Sequence, residues 1–175
     1  MYPLSAVFKR TSLIVLFLLA CASNANAAIN GVTGNRTTGA VTFDLIASYA
    51  NIPTPDGNSV HMWGYGVAGS AMQYPGPTLI VNQGDQVTVN LTNTYVPMPV
   101  SILFPGQEDV TATGGSAGQF TQESTMASPG SGDTVSYTFT AANPGTYTYY
   151  SGTQPGLQIE MGLMDATDNP LKNAP

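Results

Sequence analysis

The chain has 175 residues, room for one domain with a real hydrophobic core and little room for a second. Charged residues make up 8% of it and hydrophobic ones 42%, which excludes the low-hydropathy, high-charge composition of a disordered chain. The formal charge of −6, with four Lys and Arg in all, speaks against a nucleic-acid partner, because no basic cluster exists to neutralise phosphates.

Lys9 and Arg10 precede a compact apolar run, Ser12 to Ala20, and Ala25-Asn26-Ala27 offers a small-x-small cleavage site. Residues 1–27 are therefore expected to be a signal peptide; the apolar run is short for a permanent membrane span. A competing signal overlaps it. Leu18-Leu19-Ala20-Cys21 resembles a bacterial lipobox, in which Cys21 becomes a lipidated first residue and anchors the protein to a membrane. Leu19 is not the usual residue there and a full cleavage site follows, which favours ordinary secretion. Both readings send the chain to the periplasm or cell exterior. Cys21 is the sole cysteine, so no disulfide framework is possible and no free thiolate ligand survives processing. Removing the leader leaves Arg36 and Lys172 against ten acids.

Residues 28–40 read as an amino-terminal extension. From Val41 the sequence alternates with period two, the mark of half-buried strands, and Val41, Phe43, Leu45, Ala47 and Tyr49 share one face. Val60 to Tyr65 is a shorter run closed by Gly66. Pro75-Gly76-Pro77 turns the chain into a strand over Thr78 to Val81. After Gly84-Asp85, Gln86 to Asn93 alternates cleanly, with Val87, Val89 and Leu91 inward. Val100 to Phe104 is a further apolar run. Pro105 to Gly132 is rich in Gly, Ser and Thr without periodicity, and reads as a functional loop or covering flap. Asp133 to Thr140 sets Val135, Tyr137 and Phe139 on one side. Asn143-Pro144-Gly145 is a turn, Thr146 to Ser151 carries Tyr147 and Tyr149 on one side, and Leu157 to Met164 closes the pattern with Leu157, Ile159, Met161 and Leu163. No helical stripe is convincing. About eight short strands predict an all-β domain, a Greek-key β-sandwich over residues 41–164, with a polar flexible tail at 165–175.

Collinear fragments within this pattern resemble the first domain of multicopper oxidases, roughly from Asp56 to Met164. Tyr74-Pro75-Gly76-Pro77-Thr78-Leu79-Ile80-Val81 followed by Gly84-Asp85 is similar to that family's entry into its sandwich. Leu91-Thr92-Asn93 ends the next strand as the family's does. Pro144-Gly145-Thr146-Tyr147-Thr148-Tyr149 resembles the strand leading to its second histidine pair, and Gly156-Leu157-Gln158 with Met161-Gly162-Leu163 the segment beyond. The resemblance implies a cupredoxin-like Greek-key β-sandwich. It also implies two His-x-His pairs, whose i and i+2 side chains point the same way along a strand and so present imidazoles to a copper cluster between domains. In this sequence Leu103 and Pro105 stand at the first pair, and Tyr150 and Gly152 at the second, with Gly106 and Ser151 holding the register. All four ligand positions are degenerate. The resemblance further implies that an active oxidase needs additional cupredoxin domains carrying a cysteine-containing type 1 site. Past Met164, where the family continues with an apolar strand, this sequence reads Asp165-Ala166-Thr167-Asp168.

His61 is the single histidine, and with Met62 and nearby Trp63 it forms a weak candidate metal site; one imidazole rarely makes a site, and the other reading is a strand segment with core neighbours. Met62, Met72, Met98, Met126, Met161 and Met164 invite a copper(I)-handling role. They form no Met-x-Met repeat, however, and the spacing of Met161 and Met164 places them on opposite strand faces, so core filling is the better reading. Tyr147, Tyr149 and Tyr150 read as cross-strand packing more readily than as a binding platform. Glu108-Asp109 read as solvated loop charges. No catalytic constellation is present: His61 has no identifiable partner as a positioned base.

Three functions remain open. The first is an exported cupredoxin-like module, without copper or another cofactor, that acts by binding or structure; its degenerate ligand face docks another cupredoxin domain or subunit. The second is the amino-terminal part of a multicopper oxidase, with copper binding and oxidoreductase chemistry residing in domains on another chain or lost. The third is a small periplasmic copper-handling protein using His61 and methionines.

Overall fold

The computed structural model describes residues 31–169, so the expected signal peptide and Cys21 lie outside the described residues. Thirteen strands and one short helix follow one another: β1 (Asn35–Thr37), β2 (Ala40–Pro53), β3 (Ser59–Val67), β4 (Leu79–Ile80), β5 (Gln86–Asn93), β6 (Glu108–Gly114), β7 (Ser116–Ala117), β8 (Gln122–Glu123), β9 (Met126–Ser128), β10 (Ser131–Gly132), β11 (Thr134–Thr140), β12 (Gly145–Tyr150), α1 (Pro155–Gln158) and β13 (Met164–Asn169).

The larger sheet runs β1-β2-β5-β11-β6, with β3 also paired to β2; the second runs β12-β13-β4. Strand β2 lies parallel to β5 and antiparallel to β3, and β5 antiparallel to β11. This register stacks the inward residues in rows: Val41 beside Val87 and Phe139, Phe43 beside Val89 and Tyr137, Leu45 beside Leu91 and Val135. All are buried, and they meet Leu79, Tyr149 and Leu163 from the other side to form one core. Each such side chain contributes about 1.5–3 kcal/mol by leaving water. The period-two pattern thus dictates the sandwich.

Several expectations need correction. Pro105 to Gly132 is not structureless but holds β6 to β10; β6 is an edge strand, nearly all exposed, so neither of its faces carries an apolar alternation. Glu108-Asp109 accordingly open β6 rather than sit in a loop, both exposed, with Asp109 at φ 53°. Leu157 to Met164 is not a strand. Pro155 starts a single helical turn, Leu157 stands 43% exposed, and it is the polar Gln158 that is buried. Met161 therefore lies in a turn, and the opposite-faces argument for Met161 and Met164 does not apply. Residues 165–169 are not a flexible tail, because β13 pairs antiparallel with β12 and parallel with β4, while 170–175 lie outside the described residues. Its backbone is paired along its whole length by β12 and over Thr167 and Asp168 by β4.

Tyr49 also departs from its face. Burial slips by one residue at Ala47–Ser48, both buried, after which Tyr49 is 50% exposed and packs on His61 and Tyr95 instead of the core. The amino-terminal extension joins the sandwich: Val32 bridges Leu79, β1 pairs with β2, and Arg36 forms an ion pair with Asp85. Gly84, at φ 84°, makes the turn in which Asp85 accepts from the Asn82 amide at 2.8 Å. Among the described residues, no helix is long and apolar enough to cross a membrane.

Candidate functional site

Of the four expected ligand positions, Leu103, Tyr150 and Gly152 lie against one another. Residues 100–104 run beside β12, and Leu103 donates its amide to the Tyr150 carbonyl at 2.8 Å while Tyr150 donates back at 3.2 Å. Leu103 and Tyr150 therefore face each other across two strands, as the resemblance implies for members of opposite ligand pairs. Gly152 lies beneath Leu103: a Cβ at Gly152 would stand 2.8 Å from Leu103 Cγ and 3.1 Å from both Cδ atoms. Pro105 is exposed at the end of the segment, and Gly106, at φ 84°, lets the chain turn flat against the Tyr147 ring.

Buried phenols hold this segment in place. Tyr65 donates to the Ser101 carbonyl at 2.7 Å; Tyr137 accepts from the Ile102 amide at 3.2 Å and donates to the Gln122 carbonyl at 2.7 Å. Desolvation pushes the hydroxyls of Tyr65, Tyr137 and Tyr149 well above the ordinary phenol range, so all three are neutral. The Phe104 ring fills the space among Tyr137, Phe139 and Tyr149, with centroids 5.9, 4.9 and 6.0 Å away.

Polar side chains lock the same region from below. Ser151 donates to Gln158 Oε1 at 2.6 Å, and Gln158 Nε2 donates to the Pro99 carbonyl at 2.9 Å. Ser101 and Thr153 share a hydrogen bond at 2.9 Å, and Thr153 donates to Glu123 at 2.8 Å. The buried Asn93 holds the loop that enters the segment. Sequence reasoning missed this network; the one available signal was Leu91-Thr92-Asn93 ending a strand on an inward position.

Outside the segment lies an apolar cavity of about 310 Å³, walled by Leu103, Phe104, Pro105, Val110 and Phe120. Phe120 sits at the tip of the β7–β8 hairpin, closed by the Gly118 amide on the Thr121 carbonyl, and is 59% exposed.

Copper takes imidazole, thiolate or thioether donors. Leucine, proline and glycine bring no donor atom, Tyr150 brings one phenol, and the Leu103 side chain already occupies the space above Gly152. The residues present do not fit a copper ion. Among the described residues no group of three or more His, Cys, Asp or Glu is placed to hold a metal. His61 and Met62 are neighbours on β3 and so point to opposite faces. His61 is exposed, its Nδ1 3.3 Å from Asn51 Oδ1 and its ring 5.1 Å from that of Tyr49, while Met62 is half-buried. The fold does not assemble them into one site.

Comparison with known proteins agrees with this architecture. A profile of the family described as multicopper oxidase matches residues 48–167. The chain is 35% identical over 97 residues to an L-ascorbate oxidase of Cucurbita pepo var. melopepo, covering 55% of this chain and 17% of that protein. The chain is 34% identical over 97 residues to an L-ascorbate oxidase of Cucurbita maxima, covering 55% of this chain and 16% of that protein. The chain thus spans about a sixth of the length of these curated relatives. Among solved structures it is similar to a multi-copper oxidase from Pseudomonas thermotolerans (TM-score 0.61, 23% identity, 77% of this chain and 31% of that one). A multicopper oxidase from Campylobacter jejuni, described as a metallo-oxidase, matches at TM-score 0.62 and 18% identity, over 83% and 29% of the two chains. At these identities the structures speak for the fold.

Proposed function

The chain belongs to the multicopper oxidase family, and on that premise we propose that it is an exported, copper-free cupredoxin-like module that acts by binding or structure. One observation supports this reading: of the four positions where the family resemblance expects copper ligands, Leu103, Tyr150 and Gly152 lie against one another and present groups that pack rather than ligate. The face they form is completed by the apolar rim of Pro105, Val110 and Phe120. A contiguous apolar patch of this kind is the ordinary mark of a contact surface, and it supports docking of another cupredoxin domain or subunit there.

Elemental analysis of the purified protein after desalting is expected to find copper far below one ion per chain. Stoichiometric copper that survives desalting would overturn the copper-free reading. If His61→Ala then removed that copper, the small copper-handling role would be favoured in its place.

A second reading draws on the 17% coverage of the ascorbate oxidase relative. The chain would then supply the first domain of an oxidase whose other domains lie on a separate chain or are lost, and the chemistry would reside there. It predicts co-purification with a cupredoxin partner that carries the cysteine-containing copper site, and an oxidase activity that neither part has alone.

A further inference from the structure

One buried acid takes no part in the ligand face. Asp165, on β13, is 8% exposed, and Thr167, two residues on and directed to the same side, is 1% exposed. Neither Asp165 Oδ2 nor Thr167 Oγ1 has a hydrogen-bond partner among the described residues. The other carboxyl oxygen of Asp165 accepts from the Ala166 amide at 2.7 Å. A buried carboxyl oxygen without a partner disfavours the ionised form of Asp165.

The motif Pro75-Gly76-Pro77 packs against Asp165. Gly76 donates its amide to the Met164 carbonyl at 3.0 Å, and Tyr149, directly opposite Asp165 across β12 and β13, donates to the Pro77 carbonyl at 2.7 Å. A Cβ on Gly76 would stand 3.0 Å from the Tyr149 hydroxyl and 3.4 Å from Asp165 Cβ, so glycine is what lets the turn lie down on the strand. The groups facing the carboxyl are the phenol of Tyr149 from β12, that of Tyr65 from β3 behind it (ring centroids 5.7 Å apart), and the Thr78 hydroxyl from the segment entering β4. Both phenols are neutral. On β13 itself Asp168 points to the opposite face, toward Thr146. Among the described residues Asp165 enters no ion pair.

We propose that Asp165 is a proton-operated latch on β13: with its carboxyl protonated the strand lies closed under the Pro75-Gly76-Pro77 turn and against β12, while the ionised carboxyl, buried without a counter-charge, loosens them. Because β13 is the middle strand of its sheet, and β12 carries Tyr150, loosening it reaches the ligand face. The inference stands independently of what docks there.

Burial pushes the Asp165 carboxyl up to about 6, with partial relief from the Ala166 amide and the Thr78 hydroxyl. A folded-state value above the ordinary 3.8 means that the native state binds the proton more tightly than the unfolded chain. The stabilising contribution is therefore fully present below about pH 4 and is lost as pH rises through about 6. The span from 3.8 to about 6 sets a ceiling of about a hundredfold on the change in opening. Part of this change already lies below pH 4.5, so the expected change between pH 4.5 and 7.5 is on the order of tenfold.

Amide hydrogen exchange of the purified protein at pH 4.5 and 7.5, corrected for intrinsic exchange, tests the latch. Opening of β12 and β13 should rise about tenfold at the higher pH while β5 and β11 stay protected, and Asp165→Asn should abolish the difference. Exchange in β13 that is independent of pH, or an equal pH dependence in Asp165→Asn, overturns the proposal. Should that variant fail to fold, a carboxyl carbon NMR titration of the unaltered protein decides: a midpoint near 6 for Asp165 upholds the latch, and one near 4 overturns it.

Discussion

Replacing Asn93 by Ala should lower the unfolding free energy by about 3 kcal/mol, a large share of the stability of a small domain. Asn93 is fully buried at the end of β5. Its Nδ2 donates to the carbonyls of Val96 at 3.0 Å and Met98 at 2.8 Å, and its Oδ1 accepts from the Val96 amide at 2.9 Å. Alanine removes all three bonds and leaves two carbonyls and an amide without partners inside the protein, each costing about 1 kcal/mol or more. Asn93→Asp should be worse at neutral pH, since it replaces both donors by an acceptor facing two carbonyl oxygens. Denaturant titration should show a lower midpoint with an unchanged slope. A loss below about 1 kcal/mol would mean that the loop at 94–98 holds itself without this side chain.

The second large effect lies at the ligand positions. Gly152→His should cost about 2 kcal/mol by overpacking, because the new Cβ meets the Leu103 side chain at 2.8 Å. Leu103→Ala alone should cost about 1–2 kcal/mol through lost packing. The double variant should cost clearly less than the two together, with a coupling of at least about 1 kcal/mol, since the small residue vacates the space that the histidine needs. Strict additivity would falsify the claim that Leu103 fills the site above Gly152.

The strands that could be read from sequence are those that bury one face. Val87, Val89 and Leu91 on β5, and Val135, Tyr137 and Phe139 on β11, all lie in the core as their alternation predicts. Strand β6 could not be read, because an exposed edge strand has no face to pattern. Leu157 to Met164 misled for the opposite reason. Its alternation is genuine, but Pro155 begins a turn, and the contacts of Gln158 with Ser151 and Pro99 decide which way the segment faces. At the candidate site, the two segments singled out by the spacing around Gly106 and Ser151 lie side by side, with Leu103 bridged to Tyr150. The supporting network of Asn93, Ser101, Thr153 and Gln158 stayed hidden, since small polar residues look alike in a turn and in a sealed core.

The amino-acid sequence by itself determined the β-sandwich and the chemistry available at each ligand position, because strand periodicity and donor atoms are properties of the residues. Only the tertiary structure decided that Leu103 fills the space over Gly152, that the Pro75-Gly76-Pro77 turn packs onto Asp165, and that Tyr49 leaves the core. Those facts depend on what packs against a residue from a distant part of the chain. A carboxylate, a glycine or a tyrosine acquires its electrostatic and steric character from that neighbour.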